Sequence, residues 1–209
     1  VKQPVIIESY ETEGASLNFF DIQGLNETAL RIIDTDEDHT FYYDTNAFEN
    51  GGEENVLSLT LQEMRENSSE EAPVIEFLSE LKAGPVESQI DVINLNSQAL
   101  LPLYNGLTPH NQNYLHDLRV GPDFETFNIG GDADLFIENF LDKNLNMVNA
   151  GDLIADLRLK LYAQGLEFVE DDQGNPTQQV DAQNTTVLTV IGAQEDDDIL
   201  IGDPDYDVQ

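Results

Sequence analysis

The sequence has no cysteine and no tryptophan, and only eight of its 209 residues are lysine or arginine. Without cysteine, neither a disulfide nor a thiolate-bound metal contributes to the fold. Phosphate recognition needs clustered basic side chains, so direct nucleic-acid binding is not expected, and an anionic lipid surface would repel the chain. No run of about 18 apolar residues that could span a bilayer occurs, and no signal-peptide pattern is visible.

Acidic residues are in large excess over basic ones. There are 42 aspartates and glutamates, which give a formal net charge of −34, and they are spread from Glu8 to Asp207. Such a charge destabilises a compact state by self-repulsion unless salt screens it. The Debye length falls from about 10 Å at 0.1 M salt to about 3 Å at 1 M. The composition therefore predicts a halophile's protein that works in molar salt.

Intrinsic disorder is the alternative explanation of high acidity. The chain, however, is 40% hydrophobic and contains ten phenylalanines and seven tyrosines, which is enough to build a core. A length of 209 residues suits one all-β domain or two small domains. We expect a folded domain over residues 1–199 and a mobile tail over residues 200–209.

Apolar residues recur with a period of two along most of the chain, which is typical of half-buried strands. The clearest segments are residues 153–162 (LIADLRLKLY) and Val56–Met64 (VLSLTLQEM), followed by residues 89–95 and 185–191. Shorter candidate strands lie at residues 4–7, 16–20, 29–33, 40–43 and 124–129. Clusters of Gly, Asn, Asp and Pro separate these segments and predict turns.

Two segments have apolar residues at helical spacing instead. Residues 73–82 (PVIEFLSELK) would form a helix capped by Ser68 or Ser69, and residues 132–141 (DADLFIENFL) a helix capped by Asp132. No repeat of 20–50 residues is apparent. We therefore predict an all-β single domain, a sandwich or barrel of eight to nine strands with two short helical insertions.

Two acidic clusters are candidates for Ca²⁺ or Mg²⁺ binding through oxygen ligands. One runs from Asp34 to His39, and the other comprises Glu195, Asp196, Asp197 and Asp198. Neither matches an EF-hand loop, and residues 196–205 resemble only one imperfect copy of a glycine-rich calcium-binding repeat. We favour a solvated halophilic surface with loosely bound counter-ions, and predict no metal-binding residue and no cofactor.

No catalytic constellation is recognisable, and we expect the protein not to be an enzyme. His110 and His116 are six positions apart and His39 is remote, which does not match a cupin-type His-x-His site. There is no Gly-x-Ser-x-Gly motif, and Gly130-Gly131 lacks the following lysine of a phosphate loop. With 42 acids, carboxylate pairs at glycosidase spacing arise by chance. No catalytic or cofactor-binding residue is predicted.

Three Asn-x-Ser/Thr sequons, at Asn26, Asn67 and Asn184, would suit glycosylation of an extracellular or surface protein. In a chain rich in Asn and Thr, one or two such sequons are expected by chance.

In two stretches, residues 105–124 (NGLTPHNQNYLHDLRVGPDF) and 153–168 (LIADLRLKLYAQGLEF), the chain resembles the single β-barrel (jelly-roll) major capsid proteins of membrane-containing icosahedral viruses of halophilic archaea. The resemblance covers under a fifth of the chain and otherwise rests on composition. It implies an upright eight-stranded jelly roll standing perpendicular to the capsid surface.

The same resemblance implies the partners and the location. The chain would assemble, in the high salt of the host cytoplasm, with itself and a related second capsid protein into pseudo-hexameric capsomers. These would contact neighbouring shell proteins above an internal viral membrane, with no transmembrane segment and no direct contact with nucleic acid. The virion capsid would be its location. From the charge of −34 we expect assembly to depend on salt.

Three other functions remain open. A secreted or surface carbohydrate-binding β-sandwich would need a coplanar set of exposed aromatic rings, for which Tyr42, Tyr43, Tyr104 and Tyr114 would replace the missing tryptophan. The others are a halophilic enzyme on a β-barrel and a component of a viral tail, spike or surface layer. Oligomer geometry would distinguish these from a capsid protein.

Overall fold

The computed structural model describes the chain in thirteen segments, and its regular elements there are all β-strands. The described residues are 5–8, 17–22, 29–35, 38–44, 54–64, 73–81, 84–86, 90–99, 111–121, 123–162, 166–170, 176–180 and 187–202. The strands are β1 (Val5–Glu8), β2 (Leu17–Ile22), β3 (Ala29–Thr35), β4 (His39–Asp44), β5 (Val56–Met64), β6 (Val74–Leu81), β7 (Gly84–Val86), β8 (Val92–Gln98), β9 (Gln112–Leu115), β10 (Asp117–Arg119), β11 (Thr126–Gly131), β12 (Asp134–Phe140), β13 (Met147–Leu153), β14 (Leu157–Tyr162), β15 (Leu166–Glu170), β16 (Pro176–Val180), β17 (Thr189–Ile191) and β18 (Asp197–Gly202).

Most strands belong to three parallel sheets. Sheet A has seven strands in the order β1-β3-β5-β8-β11-β13-β17. Sheet B has the order β10-β6-β4-β2, with β7 antiparallel on β6, and sheet C has the order β18-β14-β12-β9. A separate antiparallel hairpin joins β15 to β16.

The chain alternates between sheet A and the opposite wall, which consists of sheet B in the first coils and sheet C in the later ones. One coil consists of a strand of sheet A and the strand or strands of the opposite wall that follow it. Strands of successive coils pair in parallel, for example β11 with β13 and β12 with β14. This order describes a parallel β-solenoid, in which stacked coils enclose a single core.

The jelly-roll prediction is therefore wrong. A jelly roll is built from antiparallel strands, whereas among the described strands only the β6–β7 and β15–β16 pairs are antiparallel. Alternation of apolar and polar residues specifies which face of a strand is buried, but it is the same for parallel and antiparallel neighbours. The periodicity identified strands and gave no information about their pairing.

The two predicted helices are also wrong, because both segments form strands. Residues 73–82 contain β6, in which Ile75 and Phe77 are buried and their neighbours half-buried. Residues 132–141 contain β12, in which Leu135 and Ile137 point into the core. A short apolar run fits both the helical period of 3.6 residues and the strand period of two. Packing against the strands of neighbouring coils then decides whether the run forms a helix or a strand. Of the proposed caps, Ser68 and Ser69 lie outside the described residues, whereas Asp132 Oδ1 accepts a hydrogen bond from Ala99 N at 3.0 Å.

Most strand predictions are confirmed in position. Val56–Met64 is β5 with the expected bounds, and the shorter candidates correspond to β1 to β4 and β11 within a few residues. Residues 89–95 overlap β8, and residues 185–191 overlap β17. Residues 153–162 alternate as predicted but are interrupted, because β13 ends at Leu153, the chain turns, and β14 begins at Leu157. The residues predicted to face inward, Leu153, Ala155, Leu157, Leu159 and Leu161, are all buried.

The core lies between sheet A and the opposite wall and, over the described side chains, runs from Leu30 on β3 to Leu161 on β14. Sheet A contributes side chains such as Leu59 and Phe127, and the wall contributes others such as Phe77 and Leu159. Phe41 and Phe77, in register on β4 and β6, stack with ring centroids 5.1 Å apart. Buried aliphatic and aromatic side chains in stacked layers provide the hydrophobic stabilisation of the fold.

Coils of unequal length conceal this repetition in the sequence. Phe127 pairs with Val148, 21 positions on, but Ile93 pairs with Phe127, 34 positions on, and Met147 with Thr189, 42 positions on. The last interval contains the β15–β16 hairpin. The expectation of no repeat is therefore wrong for the structure, in which the strands repeat while the connections between them vary in length.

The predicted boundary at residue 200 falls within β18, which continues to Gly202, and residues 203–209 lie outside the described part. Over the described residues, no helix has the length and apolar character needed to cross a bilayer.

Candidate functional site: a groove between sheets B and C

The opposite wall has a step where the chain changes sheets within one coil. β9 pairs with β12 in sheet C, and after a single intervening residue β10 pairs with β6 in sheet B. The backbone of His116 links the two, because its N–H donates to Pro73 O and its carbonyl accepts from Asn139 N, both at 2.9 Å. The step leaves an open groove of about 490 Å³ on the outer surface, between the ends of β6 and β10 on one side and the segment after β12 on the other.

Charged side chains form one wall of the groove. Arg119 Nε donates to Asp117 Oδ2 at 2.7 Å, and its Nη1 lies 4.0 Å from Glu76 Oε1. Asp117 is nearly buried, whereas the Arg119 side chain is 54% exposed. The guanidinium is therefore held by carboxylates at one edge while much of it faces the groove.

The same arrangement keeps Arg119 charged. The hydrogen bond to Asp117 raises the pKa of the Arg119 guanidinium above its ordinary value, partial burial lowers it, and the negative charges of Asp117, Glu76 and Asp38 raise it further. A guanidinium donates up to five hydrogen bonds in a fixed plane and a carboxylate accepts several. This wall thus presents both donors and acceptors to a polar ligand.

An aromatic pair forms the other wall. The rings of Phe140 and Tyr162 lie 5.3 Å apart and are tilted by 52°. Both side chains are half-buried and line the groove with Asp142 and Lys143. A tyrosine ring offers an apolar body with a polar tip, which is the kind of surface found at wet binding sites.

A second aromatic group lies on the outer face of sheet C, outside the groove. Tyr114, Phe136 and Arg158 occupy matching positions on β9, β12 and β14. The Tyr114 and Phe136 rings are 4.8 Å apart, and the guanidinium of Arg158 lies 5.1 Å from the centre of the Phe136 ring. Arg158 also pairs with Asp198 at 3.0 Å. We call this the outer ladder, and its members chiefly contact one another.

The histidines do not form a site. His39 is buried beside Phe41, with ring centroids 6.4 Å apart. His116 lies on the outer surface, where Nδ1 is 3.0 Å from Glu138 Oε2. His110 lies outside the described residues. Among the residues that the structure describes, no group of three or more His, Asp or Glu side chains is placed to hold a metal ion.

The described acids of the two clusters form hydrogen bonds with the backbone or with another coil. In the first cluster, Asp38 Oδ1 accepts from Val74 N, 36 positions on, at 2.8 Å, whereas residues 36–37 and the side chain of Asp34 are outside the described part. In the second cluster, Asp197 Oδ1 accepts from Ala193 N at 3.0 Å within a turn, and Asp196 N donates to Asp156 Oδ1 of the preceding coil at 3.3 Å. A carboxylate that accepts from a nearby backbone N–H, as Asp197 does, stabilises the turn.

The tyrosines proposed as a binding platform are separated. Tyr43 is buried in the core, Tyr42 is half-buried on β4, and Tyr114 belongs to the outer ladder. Tyr104 lies outside the described residues, as do the sequon residues Asn26, Asn67 and Asn184.

Sequence reasoning missed the groove and its residues Arg119, Phe140 and Tyr162. One signal was available, because Tyr114, Phe136 and Arg158 are spaced 22 positions apart and Phe140 and Tyr162 have the same spacing. Recurrence at a fixed interval of this length is the mark of a coil repeat. This interval would have predicted that Tyr114, Phe136 and Arg158 are neighbours. It would not have predicted the register shift that pairs Phe140 with Lys160, nor the step between the sheets.

No family model, curated protein or solved structure matches this chain.

Proposed function

We propose that this chain is a halophilic surface or secreted module that binds neutral carbohydrate in the groove between sheets B and C. The observation that carries the proposal is the pairing of a carboxylate-held arginine, Arg119, with the Phe140–Tyr162 rings across one open groove. Binding sites are typically concave, of about 300–1,000 Å³, with an apolar lining and a few placed polar groups.

Sugar chemistry fits both walls. Hydroxyl groups donate to carboxylates and accept from guanidinium N–H groups, so Asp117, Glu76 and Arg119 together satisfy neighbouring hydroxyls. The apolar C–H face of a sugar ring packs on an aromatic side chain such as Tyr162. The fold required for this proposal is the solenoid and not the sandwich expected from sequence.

Charge favours a neutral ligand. The groove has three carboxylates, Glu76, Asp117 and Asp142, against Arg119 and Lys143, and the whole chain carries −34. The field of such a chain repels anions over the Debye length and repels them less as salt rises. Acidic glycans are therefore poorer candidates than neutral ones.

The test is a glycan-binding screen followed by calorimetry, in about 3 M salt, where screening is nearly complete. Tyr162→Ala and Arg119→Gln should each weaken binding about tenfold or more, a loss of about 1.4 kcal/mol. Tyr114→Ala and Arg158→Gln are matched controls, since Tyr114 also packs on a phenylalanine of β12 and Arg158 is 55% exposed and paired with an aspartate. Equal losses in groove and control variants, or no glycan bound by the wild type, would contradict the proposal.

A structural role in a shell, as the resemblance implies, remains a second candidate. The structure contradicts its jelly-roll basis, and what now favours assembly is the apolar surface of the coil that contains β17 and β18, where Val187, Ile191, Leu200 and Ile201 are exposed. A shell protein should form defined oligomers in molar salt. Sedimentation there, before and after dialysis to dilute buffer, distinguishes it from a monomeric sugar-binding module.

A further inference from the structure

The outer face of sheet A carries almost no charge in its central strands. Over residues 56–60 of β5, and along β8 and β11, outward side chains alternate with buried ones, and none of the outward ones is an acid or a base. Charged residues resume at the margins, for example at Arg31 on β3 and Asp152 near the end of β13. The outward polar residues that we call the amide face are Ser58, Thr60, Asn94, Asn96, Thr126, Asn128 and Asn149.

The outer face of sheet C shows that strand faces of this protein are not uncharged in general. Its outward positions on β12, β14 and β18 include Asp134, Glu138, Arg158, Lys160 and Asp198. The chain as a whole carries −34, so acids are frequent on its surface. The central strands of sheet A therefore depart from the pattern of the rest of the molecule.

Strand propensity does not explain the amide face. Asparagine is depleted in β-strands, yet Asn94 is in register with Asn128, and Asn128 with Asn149, on three adjacent strands. Asn128 Nδ2 donates to Asn94 Oδ1 at 2.9 Å, and Asn149 Oδ1 accepts from Gly151 N at 3.2 Å. The first of these bonds uses one half of each amide, which leaves the Asn94 NH2 group and the Asn128 carbonyl for another partner.

We propose that the amide face binds the chain of a neutral polysaccharide, laid across β5, β8, β11 and β13. Side-chain amides and hydroxyls offer both donors and acceptors. Sugar hydroxyls do the same, so the two surfaces pair without ions. Neighbouring strands lie about 4.8 Å apart, so the face extends about 14 Å across its four strands and contacts a polymer at several points. The inference is independent of the proposed groove, because the groove lies between sheets B and C and the amide face belongs to sheet A.

The chemistry of the amide face favours a neutral polymer over other partners. Protein interfaces are centred on buried aromatic and arginine side chains, and the amide face has neither. A nucleic acid or an acidic glycan needs basic side chains to offset its charge, and the −34 of the chain repels it. A neutral polymer repeats the same hydroxyls along its length, and several weak contacts made together give avidity.

The experiment is a binding isotherm of the full chain on insoluble cellulose, chitin and starch, in about 3 M salt, where charges are screened. The starting protein carries Arg119→Gln and Tyr162→Ala, which disable the groove, so that retention reports the amide face. We expect this protein to bind at least one of the three polymers. Adding Asn94→Ala and Asn96→Ala should weaken that binding about tenfold or more, because two hydrogen-bonding amides are lost from the centre of the face.

The matched control adds Asn111→Ala and Asn144→Ala instead, which removes two exposed amides that lie outside sheet A and should leave the affinity unchanged. Binding to none of the polymers, or equal losses in the face and control variants, overturns the proposal.

Sedimentation of the same proteins tests a second copy as the occupant of the face. Dimers that form with rising concentration and that Asn94→Ala with Asn96→Ala abolishes would also overturn the proposal, because the face would then pack on another chain. Failure of the groove is seen separately, in glycan binding that Tyr162→Ala alone leaves unchanged. Far-ultraviolet circular dichroism confirms that each variant is folded.

Discussion

Asn113 Nδ2 donates a hydrogen bond of 2.9 Å to Ser97 Oγ, and both side chains are buried. The bond joins sheet A to sheet C within one coil. Asn113 Oδ1 also accepts from Met64 N at 2.9 Å, which ties this coil to the preceding one. The amide thus satisfies backbone and side-chain groups at the point where the opposite wall changes from sheet B to sheet C.

Replacing this amide by a side chain of similar size should be costly. Asn113→Leu leaves Met64 N–H without its partner in the core and removes one of the two hydrogen bonds of Ser97 Oγ, which also donates to Asp134 O. We expect a loss of about 2–4 kcal/mol in the free energy of unfolding. Urea denaturation at constant molar salt measures it. Asn128→Ala is the control, since Asn128 bonds to Asn94 at the surface, and it should cost less than about 1 kcal/mol. Similar losses in both variants would show that the buried amide has no special role.

Gly131 should not tolerate a side chain. Its φ is 125°, and a Cβ there would lie 1.8 Å from the carbonyl oxygen of Ser97 in the preceding coil. Gly131→Ala should therefore destabilise the fold by about 3 kcal/mol or more. Gly151→Ala, where the nearest atom would be 3.4 Å away, should change stability by less than about 1 kcal/mol. Thermal unfolding of the two variants compares them directly, and equal midpoints would contradict the expected clash.

His39 should make the protein less stable as the pH falls. Burial disfavours the imidazolium and lowers the pKa of His39 below 6.5, although the charge of Asp38 partly opposes this. Below about pH 6.5 the unfolded chain then binds a proton that the folded chain resists, so the free energy of unfolding decreases. Each pH unit by which folding lowers the pKa corresponds to about 1.4 kcal/mol.

To isolate this effect, the free energy of unfolding in urea is measured for the wild type and for His39→Gln at several pH values. The range from about pH 7.5 to about pH 5 spans the ordinary pKa of histidine. The wild type should lose more stability than the variant over this range. Protonation of surface carboxylates acts equally on both proteins and cancels in the difference. Parallel pH profiles would show that His39 does not titrate as its burial implies.

Salt should stabilise the folded chain even without assembly. Folding brings the negative charges of the chain, which total −34, closer together, so that they repel one another more strongly. Salt screens this repulsion. The unfolding midpoint of the wild type, measured at low protein concentration, should rise from about 0.1 M to about 3 M salt as the Debye length shortens. Sucrose, which stabilises by exclusion without screening charge, is the control. If sucrose and salt act alike, the charge is not the cause.

Parts of the candidate site could be read from the sequence, and parts could not. The 22-residue spacing of Phe140 and Tyr162 was visible in the chain, but the spacing does not by itself place the two side by side, because the β12–β14 register shifts and Phe140 pairs with Lys160. Arg119 and Glu76 are 43 positions apart in coils with different connections, and nothing local links them. They lie close only because β10 pairs with β6.

The sequence by itself determined the positions of several strands and the net charge of the chain. Alternation in Val56–Met64 and in Leu157–Tyr162 specifies which side chains are buried, and the acid excess predicts a need for salt whatever the fold. The tertiary structure decided that β6 and β12 are strands and that neighbouring strands run parallel. Those outcomes depend on contacts between residues 21 to 42 positions apart, such as Phe127 with Val148 and Met147 with Thr189. Such pairings form through the stacking of whole coils, and local periodicity is the same whichever partner a strand acquires.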